Sequence, residues 1–363
     1  MPGLVPLRDL QSATERRGTQ VSPLAMVCRP EPWDENGGGA DGSPTTKCAL
    51  QDHGRGKEPI GGYEMTHGYR EGMIVEAVTK PGWGPGKIVH INDRLHIIFR
   101  DDEGKKARVF PVESPFLRLS ATQNDPILDN LPPLFEKDGH WQLPISRISF
   151  ATAERTFLRH FPAAFSDPSY TAGERKGKDS AHHQFHEQLG LEEFRNLLAL
   201  DDISNLAKRA LSVKVPVSEL LSRFENAAFH DALQDLNAAR RFFSALLRLL
   251  ESPVINAEVF EPYIDAVSSL PAKRAPVASW PVATLFPHIA QPGRHMFLKP
   301  EKTKTAAETL GFDLRYKTTL NWETYAALLR MGDVYLDLLK SRGATDFVDV
   351  QSFIFVAGGG YDA

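Results

Sequence analysis

Alternating apolar and polar positions predict a compact β-rich region early in the chain. The alternation predicts short strands at residues 73–78, 87–91, 95–100 and 107–111. In the third strand, Leu95, Ile97 and Phe99 fall on one face. Asn92-Asp93 and Asp102-Glu103-Gly104 are turn sequences between strands. Short strands joined by tight turns within 69–120 predict a small β-barrel.

From about residue 150 the apolar positions follow a helical period instead. This period predicts helices at 151–160, 180–189, 192–200, 218–228, 231–251, 256–266, 280–289, 303–310 and 321–340. The clearest is 231–251, in which Leu236, Phe243 and Leu250 belong to one apolar stripe. The apolar run 347–356 indicates a buried strand or a final apolar anchor.

These patterns together predict an α+β multidomain protein. Its parts are a disordered tail at 1–65, an SH3/Tudor-like barrel at 69–120, a Pro-rich linker at 121–148, a helical domain at 149–270, and a mainly helical region with a short C-terminal strand at 271–363. The first segment is rich in Gly, Pro and Ser, which favours disorder. A second interpretation is a mis-assigned start, with Met65 or Met73 as the true first residue.

Charge and cysteine content narrow the classes of function. The formal net charge of −4 gives no global basic field, so any nucleic-acid contact has to be local. Cys28 and Cys48 both lie in the predicted tail, so no disulfide framework supports the fold. The chain begins without the basic and apolar regions of a secretory signal, and no apolar run approaches membrane-spanning length. We therefore expect a cytoplasmic protein.

The stretch Lys80-Pro-Gly-Trp-Gly-Pro-Gly-Lys87 places one aromatic residue, Trp83, among glycines and prolines. A rigid exposed aromatic loses little entropy on binding and makes a good contact residue. The alternative is that Trp83 plugs one end of its own barrel. The predicted partner-binding residues are Trp83, Gly84, Pro85, Gly86, Lys87 and Arg100.

The loop Trp83-Gly84-x-Gly86-x-x-Val89, followed by the Ile97-Ile98-Phe99 strand and the Gly104 turn, carries a resemblance. It resembles the small Tudor-like barrel at the C-terminus of UvrD-type repair helicases. It is also similar to the RNA-polymerase-interacting barrel of CarD-type transcription factors. The resemblance covers about 50 of the 363 residues and implies a docking module. The chain has no Walker A sequence, so the resemblance does not extend to ATP-driven unwinding.

A second group of candidate residues combines positive charge with nearby aromatic side chains. Basic groups interleaved with aromatics suit phosphate contact and base stacking, although aromatics at this spacing also form cores. The candidate nucleic-acid contacts are Arg294, His295, Lys299, Lys302, Lys304, Arg315 and Lys317.

Three further patterns suggest chemistry only weakly. Asp346, Asp349 and Glu301 are the residue types of a metal-dependent nuclease, without a motif spacing that ties them together. His182 and His186 share a helix face but lack a third ligand. Arg175, Lys176 and Lys178 suggest an anion site at a helix start. We therefore predict no catalytic residue, no metal and no cofactor.

The expected function is that of a non-enzymatic, bacterial adaptor. It docks through its barrel onto a nucleic-acid or transcription-associated partner, such as RNA polymerase or a DNA-processing complex. The alternative is a nucleic-acid-processing enzyme in which the barrel is a targeting module.

Overall fold

The computed structural model describes residues 68–214, 220–272 and 276–361, which belong to one compact unit. The predicted tail at 1–65 lies outside the described residues. The architecture is mixed α+β, as the sequence predicts, with strands first and helices afterwards.

The strands are β1 (Ile74–Ala77), β2 (Pro85–Ile91), β3 (Arg94–Phe99), β4 (Gly104–Lys106), β5 (Arg108–Pro111), β6 (Leu117–Leu119), β7 (Phe135–Lys137) and β8 (His140–Arg147). One antiparallel sheet has the order β5-β3-β2-β1-β6. It curls into a half-barrel but does not close, so β5 and β6 remain edge strands. The prediction of a complete barrel is therefore wrong in its closure.

Both faces of this sheet carry apolar residues. The inner face holds Val75, Leu95, Ile97 and Phe99, so the predicted alternation in β3 is confirmed. The outer face holds Ile74 and Ile98, which pack against Leu128 and Trp141. The outer-face cluster explains why the sheet needs a second layer.

The segment 121–148, predicted as a linker from its prolines, supplies that layer. It contains the β7–β8 hairpin, which joins β4 in a sheet of order β4-β8-β7. Leu128 lies in a short 3₁₀ turn, Leu128–Asn130, and is buried against the outer face.

The helical part begins at Ser149, whose hydroxyl accepts from the N–H of Thr152. The helices are α1 (Phe150–His160), α2 (Pro168–Tyr170), α3 (Lys176–Leu189), α4 (Leu191–Ala199), α5 (Ile203–Ser212), α6 (Arg223–Ala232), α7 (Leu236–Glu251), α8 (Ala257–Ser268), α9 (Trp280–Ala290), α10 (Pro300–Thr309), α11 (Trp322–Leu339) and α12 (Phe347–Ala357). A π-helical turn, Thr171–Arg175, leads into α3. One hydrophobic core draws on residues from Ala153 to Ala357, on both sides of the predicted boundary at 270.

The predicted C-terminal strand is wrong, because residues 347–357 form α12. The carboxylate of Asp346 accepts from the N–H groups of Val348 and Asp349 and so caps this helix. Most of α12 is buried, including residues on nearly opposite sides of the helix such as Val348 and Val350. A helix buried all round shows no amphipathic period, and a short apolar run of this kind cannot be distinguished from a buried strand by periodicity alone.

Candidate binding surface

Trp83 lies in a 3₁₀ turn and packs mainly against its own half-barrel. Its ring centroid is 5.2 Å from that of Phe99. The guanidinium of Arg108 lies 4.9 Å from the ring centroid, and Asp102 holds that guanidinium at 2.7 Å. The indole is only partly exposed, which favours the packing interpretation over the contact interpretation.

The glycines of the loop have local structural roles. Gly84 has φ of 68°, a left-handed conformation that favours glycine. A Cβ at Gly86 would come within 2.5 Å of the Phe99 ring, so only glycine fits against that ring. These contacts explain the glycines without a partner, while Gly84 and the adjacent Pro85 also line a surface pocket.

The two predicted cationic contacts of the barrel are already paired within the protein. Lys87 Nζ lies 2.6 Å from the carboxylate of Asp129. Arg100 contacts Asp101 at 3.0 Å and Asp125 at 3.3 Å. These pairs hold the segment around residues 125–129 against the sheet, so Lys87 and Arg100 serve the fold.

One half of the outer face remains uncovered. Val78 is 54% exposed and Phe116 is 52% exposed, and the N–H of Val78 donates to the carbonyl of Phe116 at 2.9 Å. By strand alternation Glu76 and Val78 share the outer face with Ile74, but the second layer covers only Ile74. We call Glu76, Val78, Pro85, Phe116 and Arg118 the bare face.

The bare face borders a pocket of about 220 Å³. The pocket is lined by Glu76, Ala77, Val78, Pro81, Gly84, Pro85 and Arg118. Arg118 contacts Glu76 at 2.6 Å, and hydrogen bonds from Arg118 and Ser120 lower the pKa of Glu76. The pocket therefore combines an apolar floor with a fixed carboxylate–guanidinium pair at its rim.

The predicted nucleic-acid residues at the C-terminal side do not form one surface. His295 is wholly buried, and its Nδ1 lies 2.9 Å from the Tyr325 hydroxyl, so it cannot contact a partner in this conformation. Burial lowers the pKa of His295 to about 3. Arg294 donates to the carbonyls of Ser252 and Pro253 after α7. These two residues serve the fold.

The other predicted cations lie nearer the surface. Lys299 precedes α10, and Lys302 Nζ lies 5.2 Å from the Phe355 ring centroid. Lys317 pairs with Glu323 at 2.8 Å.

Lys304 and Arg315 come together with Tyr316 in a pocket of about 340 Å³. Pro132, Pro133 and Ile145 supply part of its apolar wall. Lys304 Nζ is 5.7 Å from the Tyr316 ring centroid.

Glu308 and Asp313 line the same pocket, so its two positive charges are balanced by two carboxylates. This balance weakens the electrostatic attraction that a phosphate group would feel.

The candidate nuclease acids are engaged in a structural network. Arg175 contacts Asp346 and Asp349, both at 2.6 Å, and the Tyr170 hydroxyl donates to Asp349 at 2.5 Å. Although burial opposes it, contact with these carboxylates raises the pKa of Arg175. Glu301 lies at the start of α10. Within the described ranges, no group of three or more potential ligands is placed to hold a metal ion.

The remaining sequence candidates also have structural partners. Ring nitrogens of His182 and His186 lie 2.7 and 2.9 Å from the carbonyls of Ile289 and Ala290, at the end of α9. Lys178 donates to the carbonyl of Glu174 at 2.8 Å. Neither the histidine pair nor the proposed anion site is arranged as a ligand site.

Phe116, Val78 and Arg118 are the residues that sequence reasoning missed. Leu117 and Leu119 alternate with Arg118 and Ser120, a period-two signal that would have added a strand after the one ending at Pro111. The exposure of Phe116 could not be read from that signal, because it depends on how far the second layer extends.

Comparison with known proteins adds no family. No protein-family model matches the chain, and no curated protein or solved structure is significantly similar to it. Among the described helices, none has both the length and the apolar character needed to cross a membrane.

Proposed function

We propose that this protein is a non-enzymatic adaptor that binds a partner protein through the bare face of its half-barrel. One observation carries the proposal: Val78 and Phe116 are exposed side by side, next to a pocket, on the half of the outer sheet face that the second layer leaves uncovered. Fully burying an exposed side chain of this size contributes about 1.5–3 kcal/mol, and about half of that is available at Val78 and Phe116, which are 54% and 52% exposed.

The arrangement has the features of a protein-binding centre. An aromatic anchor stands beside a pocket, and charged groups lie at the rim rather than in the middle. The Glu76–Arg118 pair at that rim is more than a third exposed, so it favours orientation and specificity more than affinity.

The partner class follows from the resemblance of the loop. The wall of the pocket includes Gly84 and Pro85, which belong to the Trp83-Gly84-x-Gly86 motif. This motif resembles the Tudor-like docking barrels of UvrD-type helicases and CarD-type factors. A nucleic-acid or transcription-associated complex is therefore the partner that we propose.

The alternative, a nucleic-acid-processing enzyme of the metal-dependent nuclease type, has less support in the contacts of its candidate acids. Asp346 and Asp349 face Arg175 rather than a common open site. Their carboxylate oxygens also cap α12 and accept from Thr345, which accounts for both side chains structurally.

The test is affinity capture from lysate, with and without nuclease treatment, using the wild type and Phe116→Ser. Phe224→Ser is the matched control, since Phe224 is 81% exposed and belongs to α6 rather than to the half-barrel sheet. We expect a captured transcription or DNA-processing complex to depend on Phe116, to withstand nuclease, and to be retained by the control. Equal capture by both variants would contradict the proposal.

A further inference from the structure

The edge strand β6 pairs with β1 on one side only. The N–H of Val78 donates to Phe116, and the N–H of Ser120 donates to Ile74, at 2.9 and 3.0 Å. These bonds show which residues of β6 bond to β1, because in an antiparallel pair every second residue turns its main-chain groups away from the neighbouring strand. Leu119 lies opposite Val75, between the bonded pairs, so its N–H and C=O point away from the sheet.

Three of the four outward main-chain groups of Leu117 and Leu119 have no protein partner among the described residues. The N–H of Leu117 donates to Ser114 at 3.3 Å, but its carbonyl and both main-chain groups of Leu119 receive no such bond. The Leu119 side chain is 51% exposed. An edge of this kind is a template for another strand.

The opposite edge of the same sheet differs. Strand β5 ends at Pro111, which has no N–H and lies opposite Arg94. A proline on an edge strand blocks the addition of a further strand. The half-barrel therefore has one blunted edge and one open edge, and the open edge adjoins the bare face.

We propose that the partner binds as an extended segment that adds a strand to β6. This inference rests on the proposed adaptor function and specifies how the partner engages the same surface. The free outward groups are the Leu117 carbonyl and the N–H and carbonyl of Leu119, one acceptor and one donor–acceptor pair at strand spacing. An extended backbone satisfies them and a helix does not, because the main-chain groups of a helix bond within it, which is why we infer a strand.

The side chains around β6 indicate the chemistry of that segment. On the outer face of the sheet, Phe116 favours an apolar residue opposite it in the added segment. Two positions along, Arg118 is 69% exposed, and its Nη1 has no protein partner in the part of the chain that the structure describes. An acidic residue opposite Arg118 complements it, and on the inner side an apolar residue faces Leu119.

Leu119→Pro tests the backbone bond directly. Proline removes the outward N–H of Leu119 and leaves the hydrogen bonds to β1 in place, because β1 does not use that N–H. Leu119→Ala is the matched control, since it removes the side chain but keeps the N–H. Urea unfolding of both full-length variants establishes that each is folded.

The probe is a display library of short random peptides selected on the full-length wild type. Selected peptides are then measured against both variants by fluorescence anisotropy. We expect the peptides to carry an apolar and an acidic residue two positions apart, in the order that the strand orientation sets. Binding to Leu119→Ala should stay within about threefold of wild type, and Leu119→Pro should lose about tenfold or more. Hydrogen exchange over residues 116–122 should slow on binding.

The other outcomes separate the two proposals. In one outcome, the peptides bind Leu119→Pro with the same affinity as the wild type but no longer bind Phe116→Ser. That result overturns strand addition and leaves the adaptor function standing. Binding unaffected by either change overturns both. If the wild type self-associates and Leu119→Pro abolishes the association, a second copy of the chain occupies the edge, and the proposal of a partner segment is overturned. A library that yields no binders also overturns that proposal.

Discussion

The guanidinium of Arg147 donates a hydrogen bond of 2.6 Å to the main-chain carbonyl of Arg100, and a second one to the carbonyl of Phe99. Arg147 ends β8 and is 3% exposed, and its aliphatic part lies against Gly311 after α10. Burial lowers the pKa of Arg147. The half-barrel is therefore attached to the helical part through one buried cation and its carbonyl partners.

Replacing Arg147 with Met should weaken this attachment. The change removes the Arg147 donor from the Arg100 carbonyl and leaves the Phe99 carbonyl with only the 3.3 Å bond from the N–H of Asp102. We therefore expect a loss of about 1–3 kcal/mol in the free energy of unfolding. Urea unfolding followed by circular dichroism measures it. The exposed Arg94→Met is the control, for which we expect a change within about 0.5 kcal/mol. Equal stability of both variants would show that Arg147 contributes nothing.

Trp83→Ala should lower stability more than it lowers partner capture per folded molecule. The ring packs on Phe99 and under Arg108, so its removal leaves a partial cavity. For a half-buried aromatic we expect a loss of about 1–3 kcal/mol. Chemical denaturation gives the stability, and capture normalised to folded protein gives the binding. A normally stable variant that captures no partner would restore Trp83 as the contact residue.

Acidification between pH 6.5 and about 4 should destabilise the protein through two buried histidines. Burial lowers the pKa of His288 to about 4 and that of His295 to about 3, from the ordinary histidine pKa of 6.5. The unfolded chain therefore takes up protons first as the pH falls. The contribution of the neutral histidines to the free energy of unfolding is complete above pH 6.5 and is lost as the pH falls below it. Each histidine contributes a loss of at most about 1.4 kcal/mol per pH unit.

Unfolding midpoints at pH 7 and pH 5 check this pH dependence. His295→Phe should reduce the difference between the two midpoints, whereas the exposed His183→Phe should leave it unchanged. A midpoint that stays constant between pH 7 and pH 5 would contradict the buried, neutral state of these rings.

Any binding of single-stranded nucleic acid should depend on Lys304 and Arg315, which share a pocket with Tyr316. Binding weakens as salt rises, and the slope of log binding constant against log salt concentration measures this dependence. We expect the double variant Lys304→Ala/Arg315→Ala to reduce the magnitude of that slope by roughly one to two. Fluorescence anisotropy with a labelled oligonucleotide at several salt concentrations measures this. Lys317→Ala is the control, because Lys317 is paired with Glu323. An unchanged slope would remove this pocket as a nucleic-acid site.

Local patterns predicted the elements well where one face is buried and the other exposed. The alternation in β3 and the stripe of α7 are examples, since each reports directly on its own burial. The same reasoning failed for α12, because burial on all sides removes the period. The pairing of Lys87 with Asp129 and of Arg100 with Asp125 also left no local pattern, since each carboxylate lies more than twenty residues away from its cation in the chain. Only the pairing of Arg100 with its neighbour Asp101 is local.

By itself, the sequence determined the α+β class, the order of strands before helices, and most element positions, because these follow from propensity and periodicity within short windows. Only the tertiary structure decided that the half-barrel stays open, that Trp83 and His295 face inward, and that Val78, Phe116 and Leu119 are left exposed. Exposure depends on which distant segment covers a face, and here the layer at 121–148 covers Ile74 and Ile98 but stops short of β6. A contact between segments far apart in the chain leaves no local pattern from which it can be read.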